Sequence, residues 1–381
     1  MFRVNRLLIG KILFRSLIAA ILCMIVIYIT GRIADVEDFV GINDTVAIGS
    51  RTILTKLIFR FVPFYGQLFL SILSLILISS TILIVSINKY ISKGNSIDFN
   101  LLIYLPCLLI YASTPTKEFL FFIPALLYII IECEHLLKDN RKKSKKLIDR
   151  LIYNGIIYLI KISILIFMLN IRGPLAYPYL LLAIIVFIFK TFNLNIIRIN
   201  KLNFSVLIIY SLIISLFLIF ITDKDLILSN LNNLNKNFLT DSALSREYNT
   251  SIFNNIYNPF TFFKIQLLSL FPTIEETLSK PYAILILYES IIIIYLFFKY
   301  WSKLFVLVGN DNRAKSLFLM IFILIACSYF LLYGFLGYSN LGSAQRFRTN
   351  FIPISIILPL VAENIISKHK LKNNFIHKKS F

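Results

Sequence analysis

Leu73-Ser74-Leu75-Ile76-Leu77-Ile78-Ser79-Ser80-Thr81-Ile82-Leu83-Ile84-Val85 is the centre of a run, Phe64 to Ile87, that contains no charged residue. A straight helix needs roughly 20 consecutive apolar residues to cross the hydrocarbon layer of a bilayer. This run meets that length and is read as a membrane span. Nine further runs, at 7–29, 98–113, 117–134, 151–170, 176–190, 203–222, 281–298, 317–336 and 351–366, repeat the pattern, several of them shorter. With 58% hydrophobic residues and 35 Phe in 381 residues, and a mean hydropathy of +0.81, the chain has too much apolar surface for one soluble core. The expected architecture is all-α: a polytopic integral membrane protein, one transmembrane domain over 1–381 with about ten transmembrane helices.

The net charge of +20 would point to nucleic acid in a soluble protein, but here the charges cluster in alternate loops, so no nucleic-acid partner is expected. With the N-terminus in the cytoplasm, the cytoplasmic segments are 1–15, 88–98, 132–150, 190–202, 299–316 and 367–381. They hold most of the 39 Lys and Arg, while most of the 19 acids fall on the opposite, trans side. Both termini are therefore expected inside. The first run is long and is followed by Thr30-Gly31-Arg32 instead of a small-residue cleavage site, so it is read as the first span. Cys23, Cys107, Cys133 and Cys327 lie in or at the ends of apolar runs and are read as packing residues. His135, His369 and His377 fall in cytoplasmic segments, which argues against a trans-side histidine base or zinc site; no metal or cofactor is expected.

Three trans-side regions and one turn carry polar chemistry. The loop 30–63 opens with Asp35, Glu37, Asp38 and Asp44, then runs into an amphipathic stretch, 46–61. There Ile53, Leu54, Leu57, Ile58 and Phe61 share one face, as in a helix lying along the membrane surface. The large loop 223–280 carries Arg246 and the aromatic group Tyr257, Phe260, Phe262 and Phe263, which marks either an interfacial helix or a sugar-stacking platform. The loop 337–350 holds Arg346 and Arg348, which would face the same way in an extended segment and point about 200 degrees apart on a helix. With Gly337 and Gly342 upstream, an extended or nest-like loop is expected, with its guanidiniums on a pyrophosphate or on lipid headgroups. In the turn Ser113-Thr114-Pro115-Thr116-Lys117-Glu118, Pro115 stops helix at Thr114 and opens the next one. Glu118 there is either a cap or a base. Within the spans, Lys161 and Glu289 are expected to pair with each other, or to mark a proton or ion path.

The run Gly342-Ser343-Ala344-Gln345-Arg346-Phe347-Arg348-Thr349-Asn350-Phe351-Ile352-Pro353 resembles the late-loop motif of Wzy-type oligosaccharide repeat-unit polymerases from bacterial polysaccharide gene clusters. Pro115-Thr116-Lys117-Glu118 is similar to their P-x-K-E turn, and Asp44 ahead of Ala47, and Phe271-Pro272 followed by Glu289, add further similarity. Gln345 departs from the usual leucine, and no aromatic follows Phe271-Pro272. The resemblance implies an enzyme of the bacterial plasma membrane, acting on undecaprenyl-pyrophosphate-linked oligosaccharides with a chain-length regulator as a further partner and lipids around it. Arg346 and Arg348 would hold the departing pyrophosphate. Glu118 or Asp44 would act as the base, and Lys117, Arg172 and Arg246 would add phosphate or glycan contacts. The alternatives are a GT-C-type transferase adding single sugars, for which Asp35-Val36-Glu37-Asp38 before the surface helix would be the acidic motif, and a repeat-unit flippase.

Overall fold

The computed structural model describes residues 6–30, 36–41, 50–91, 96–138, 147–192, 204–221, 256–309, 311–338 and 341–379. Among them the chain is helical throughout, with no strand. In chain order the helices are α1 (Arg6–Thr30), α2 (Val36–Phe39), α3 (Ser50–Phe59), α4 (Leu68–Asn88), α5 (Ser96–Ile103), α6 (Pro106–Ile110), α7 (Lys117–Lys138), α8 (Leu147–Arg172) and α9 (Tyr177–Phe192). They continue as α10 (Phe204–Ile221), α11 (Pro259–Leu270), α12 (Ile274–Ser279), α13 (Pro281–Leu307), α14 (Asn312–Ser328), α15 (Gly334–Tyr338), α16 (Leu341–Ile352) and α17 (Leu358–Lys379). A 3-10 turn, Gly173–Ala176, joins α8 to α9, and π-helical turns at Tyr329–Tyr333 and Pro353–Ile357 interrupt the last helices. Seven helical stretches of the described residues are long and apolar enough to cross a membrane, which makes this an all-α, multi-pass membrane protein.

Contacts divide the chain into two compact units. The first holds residues 1–179, 296–307 and 352–381. Its α1 packs on α4, and α7 packs on α8 and α17. Lys89, just past α4, pairs with Glu134 near the end of α7 at 2.9 Å. The C-terminal ends of α4 and α7 therefore lie side by side, and the chain between them must travel back along α7, about 25 Å from Glu134 to Lys117. It does so in pieces. The expected span 98–113 is instead the two short helices α5 and α6, because Pro106 lacks an amide donor and holds Leu105 at ψ 130. Asp98 anchors α5, accepting from Lys299 Nζ at 2.7 Å and Tyr300 Oη at 3.1 Å. The apolar stretch Asn154–Thr191 is also not one rod. Gly173 takes φ +32 ahead of Pro174, and Tyr179 then meets Phe121 and Tyr128 edge-on, so the chain reverses there.

In helix α3 Thr55 and Phe59 are buried, Phe59 stacking near Phe39 and Phe119, whereas Ile53, Leu54 and Leu57, and Phe61 just past the helix, are exposed. The apolar stripe thus faces away from the described residues packed on the helix.

The second unit holds residues 180–295 and 308–351. Here α10 packs on α14 and α11 on α15, around a core of Ile219, Ile256, Phe262, Ile265 and Tyr338. Residues 222–255, most of the expected large loop and Arg246 with it, lie outside the described residues, as does Asp44. The aromatic group of that loop divides: Phe262 enters the core, while Phe260 and Phe263 stay exposed on α11. α11 begins at Pro259 with Asn258 capping Phe260 N at 2.9 Å, and α12 begins with a Thr273–Glu276 capping box.

The described residues of 337–350 are helical and do not form an extended loop. Leu341, Ala344, Phe347, Phe351 and Ile352 recur at three-and-four spacing, and the chain folds them as helix α16, continuous through a π turn with α17. Gly337 allows the tight entry: a Cβ there would press on Ala344, 3.2 Å away.

Candidate functional site

In the first unit the turn ahead of α7 is closed off from solvent: Ser113, Thr114, Thr116 and Glu118 are all 0% exposed. Its hydroxyls satisfy the backbone where α5 and α6 break off. Ser113 Oγ donates to Leu108 O at 3.0 Å, Thr114 Oγ1 to Ile110 O at 2.7 Å and Thr116 Oγ1 to Tyr111 O at 3.0 Å. Thr116 Oγ1 also accepts from Phe119 N at 3.3 Å, starting α7. Glu118 follows, and its Oε1 is held by Arg172, the last residue of α8. This pairing orients Arg172, whose side chain remains 20% exposed. Lys117 is half-buried, with Nζ 5.7 Å from the Phe39 ring.

In the second unit the centre is Glu289, 0% exposed on α13. Arg348 Nη1 reaches its Oε1 at 3.4 Å, and Gln345 Nε2 donates to its Oε2 at 2.9 Å. Tyr282 in turn donates to Gln345 Oε1. Arg348 also binds Ile286 O (3.3 Å), Ser269 O (2.9 Å) and Leu270 O. The last two are orphan carbonyls at the C-terminal end of α11, where a cation is favoured. These bonds occupy the Nη hydrogens of Arg348, so its guanidinium ties α16 to α11 and α13. Ser269 Oγ and Tyr329 Oη lie 2.7 Å apart beside it, and a small cavity between Tyr329, Tyr333, Phe347, Phe351 and Arg348 adjoins the network.

Arg346 points elsewhere. From Gly342 to Ile352 every residue but Arg346 is buried. The helix therefore separates the two arginines that an extended loop would have set side by side.

Lys161 and Glu289, expected to pair, do not. Lys161 Nζ meets Glu132 Oε2 at 2.7 Å in the first unit, where both groups are buried. The charge pattern places Glu132 in a cytoplasmic segment, whereas α7 continues to Lys138 and buries it. Arg15 was missed for a similar reason, being counted with the cytoplasmic N-terminus although Phe14 and Ser16 to Thr30 continue the apolar run around it.

No family model matches this chain, and neither a curated protein nor a solved structure matches it.

Proposed function

We propose that this chain is a Wzy-type polymerase, joining undecaprenyl-pyrophosphate-linked oligosaccharide repeat units into O-antigen or capsular polysaccharide on the outer face of a bacterial plasma membrane. The reaction breaks the bond between the growing glycan and its pyrophosphate carrier while a sugar hydroxyl of the incoming unit attacks and gives up its proton. A departing pyrophosphate needs fixed positive charge in a site that excludes water.

The observation that carries the reading is Arg346, the one opening in a helix otherwise buried from Gly342 to Ile352. It lies within the run that resembles the polymerase motif. In this reading Arg346 holds the pyrophosphate, and Arg348 is a positioning residue that fixes α16 through Glu289 and the end of α11. Arg172, oriented by Glu118, and Lys117 form a separate cationic pair for phosphate or glycan. Asp44 and Glu118 are the carboxylates to test as the base, and Arg246 remains a candidate glycan contact.

The topology that goes with this function has ten crossings and both termini in the cytoplasm. The broken segment 96–116 counts as one crossing, and α8 and α9 count as two. A cysteine at Ser242 is then labelled from outside by an impermeant thiol reagent, and one at Ser144 is not.

The lipid-linked glycans of a deletion strain test the function. Accumulated single repeat units support polymerisation. Truncated repeat units would instead assign the chain to single-sugar transfer.

A further inference from the structure

Arg15 is 0% exposed within α1, and among the described residues no carboxylate pairs with it. A charge at membrane depth is costly and needs partners, and those of Arg15 are unusual. Nε donates to Ile103 O at 3.1 Å, and Nη2 donates to Leu108 O at 3.2 Å and Ser113 Oγ at 3.3 Å. Nη1 donates to Ser80 Oγ on α4.

Ile103 closes α5 and Leu108 lies in the single-turn α6, so both carbonyls belong to the interrupted crossing. Irregular backbone at membrane depth persists only where the protein satisfies its polar groups. Here one guanidinium does so on both sides of the Pro106 break. Ser113, which it also holds, receives Ser79 Oγ at 3.1 Å and stands five residues before Glu118.

We propose that Arg15 is a positioning residue: it splints the broken crossing 96–116 and thereby fixes the buried turn that presents Glu118 and, through it, Arg172. Its charge, which meets no carboxylate among the described residues, adds to the positive field around that turn, which suits an anionic ligand. The bearing on turnover rests on the polymerase reading; the splint does not. Lysine cannot replace it, because a compact ammonium has no planar fork to bridge acceptors on both helices and on α4.

Cys107, 0% exposed between the two bound carbonyls, is a built-in reporter. With Cys23, Cys133 and Cys327 changed to alanine, detergent-purified protein is labelled with a small methanethiosulfonate reagent, and turnover is measured on lipid-linked repeat units. In Arg15→Lys Ile103 O loses its guanidinium donor and Leu108 O keeps only Ser113 Oγ, so the break opens and Cys107 reacts roughly tenfold faster or more. Because Arg172 is then displaced from its ligand, KM for the lipid-linked repeat unit rises and polymer kcat/KM falls by a comparable factor, whereas a mere loss of folded protein would lower kcat at constant KM. Unaltered Cys107 labelling overturns the splint, and faster labelling with undiminished turnover overturns its bearing on the reaction. Should Arg15→Lys fail to fold, Ser80→Ala, which removes the anchor of Arg15 on α4 and leaves the hydroxyls of the turn in place, carries the same two measurements. If the parent protein makes no polymer, the polymerase reading fails alone and Cys107 labelling still decides the splint.

Discussion

Replacing Arg348 by alanine should destabilise the second unit far more than replacing Arg346, and the size of the difference follows from the contacts. Arg348→Ala removes the cation from a carboxylate that is 0% exposed and strips the guanidinium from Ile286 O, Ser269 O and Leu270 O. Breaking a buried ion pair by deleting one partner typically costs about 3–5 kcal/mol. Each stranded carbonyl adds on the order of 1 kcal/mol, least for Leu270 O, which keeps its bond from Ser290 Oγ. At about 2–4 °C per kcal/mol for a unit of this size, the unfolding midpoint should fall by on the order of 10 °C. Combining Arg348→Met with Glu289→Gln should recover most of that loss, since no charge is then left unpaired and Gln345 still has a partner. The assay is thermal unfolding of detergent-solubilised protein followed by size-exclusion chromatography. An Arg348→Ala midpoint equal to that of the unmodified protein, or a double variant no better than the single one, would refute the reasoning.

Three further outcomes are expected. Swapping the charges of Glu132 and Lys161 together should restore more protein in the membrane than either reversal alone, because a lone charge at that depth costs about 2.5–3.5 kcal/mol; additive losses would show that the 2.7 Å pair contributes nothing. A nitroxide at Leu57 should be more accessible to oxygen than to a water-soluble nickel complex, and one at Thr55 to neither, with the opposite pattern at Leu57 removing the surface-helix assignment. Gly334→Ala should lower unfolding stability by about 1–3 kcal/mol, read as a lower midpoint, because its Cβ would overlap the buried Gln266 carboxamide that bonds Phe330 O; an unchanged midpoint would mean that this side chain rearranges at no cost.

The helices were largely legible because apolar runs of sufficient length have few alternatives to helix in a bilayer. What composition could not convey was where a run breaks. The segment 98–113 has the hydropathy of a span, yet Pro106 divides it, and the freed carbonyls take donors from Arg15 and from the hydroxyls of Ser113, Thr114 and Thr116. Around Arg346 the error ran the other way. Two glycines and a polar composition suggested a loop, while Ala344, Phe347 and Phe351 already held the helical period that won. Glu118 and Arg172 were both picked out, for opposite jobs, and the fold joins them. Lys161 was recognised as needing a partner, but a partner on a neighbouring helix is a matter of register, which a single sequence does not encode locally.

The most direct test of the central claim is polymer formation by reconstituted protein carrying Arg346→Lys or Arg346→Ala, at matched protein levels and with unfolding midpoints confirmed unchanged. If Arg346 holds the pyrophosphate of a lipid-linked donor, lysine loses bidentate contact and activity falls substantially, and alanine costs on the order of a hundredfold or more in rate. Full-length polymer made at the normal rate by Arg346→Ala would contradict the account.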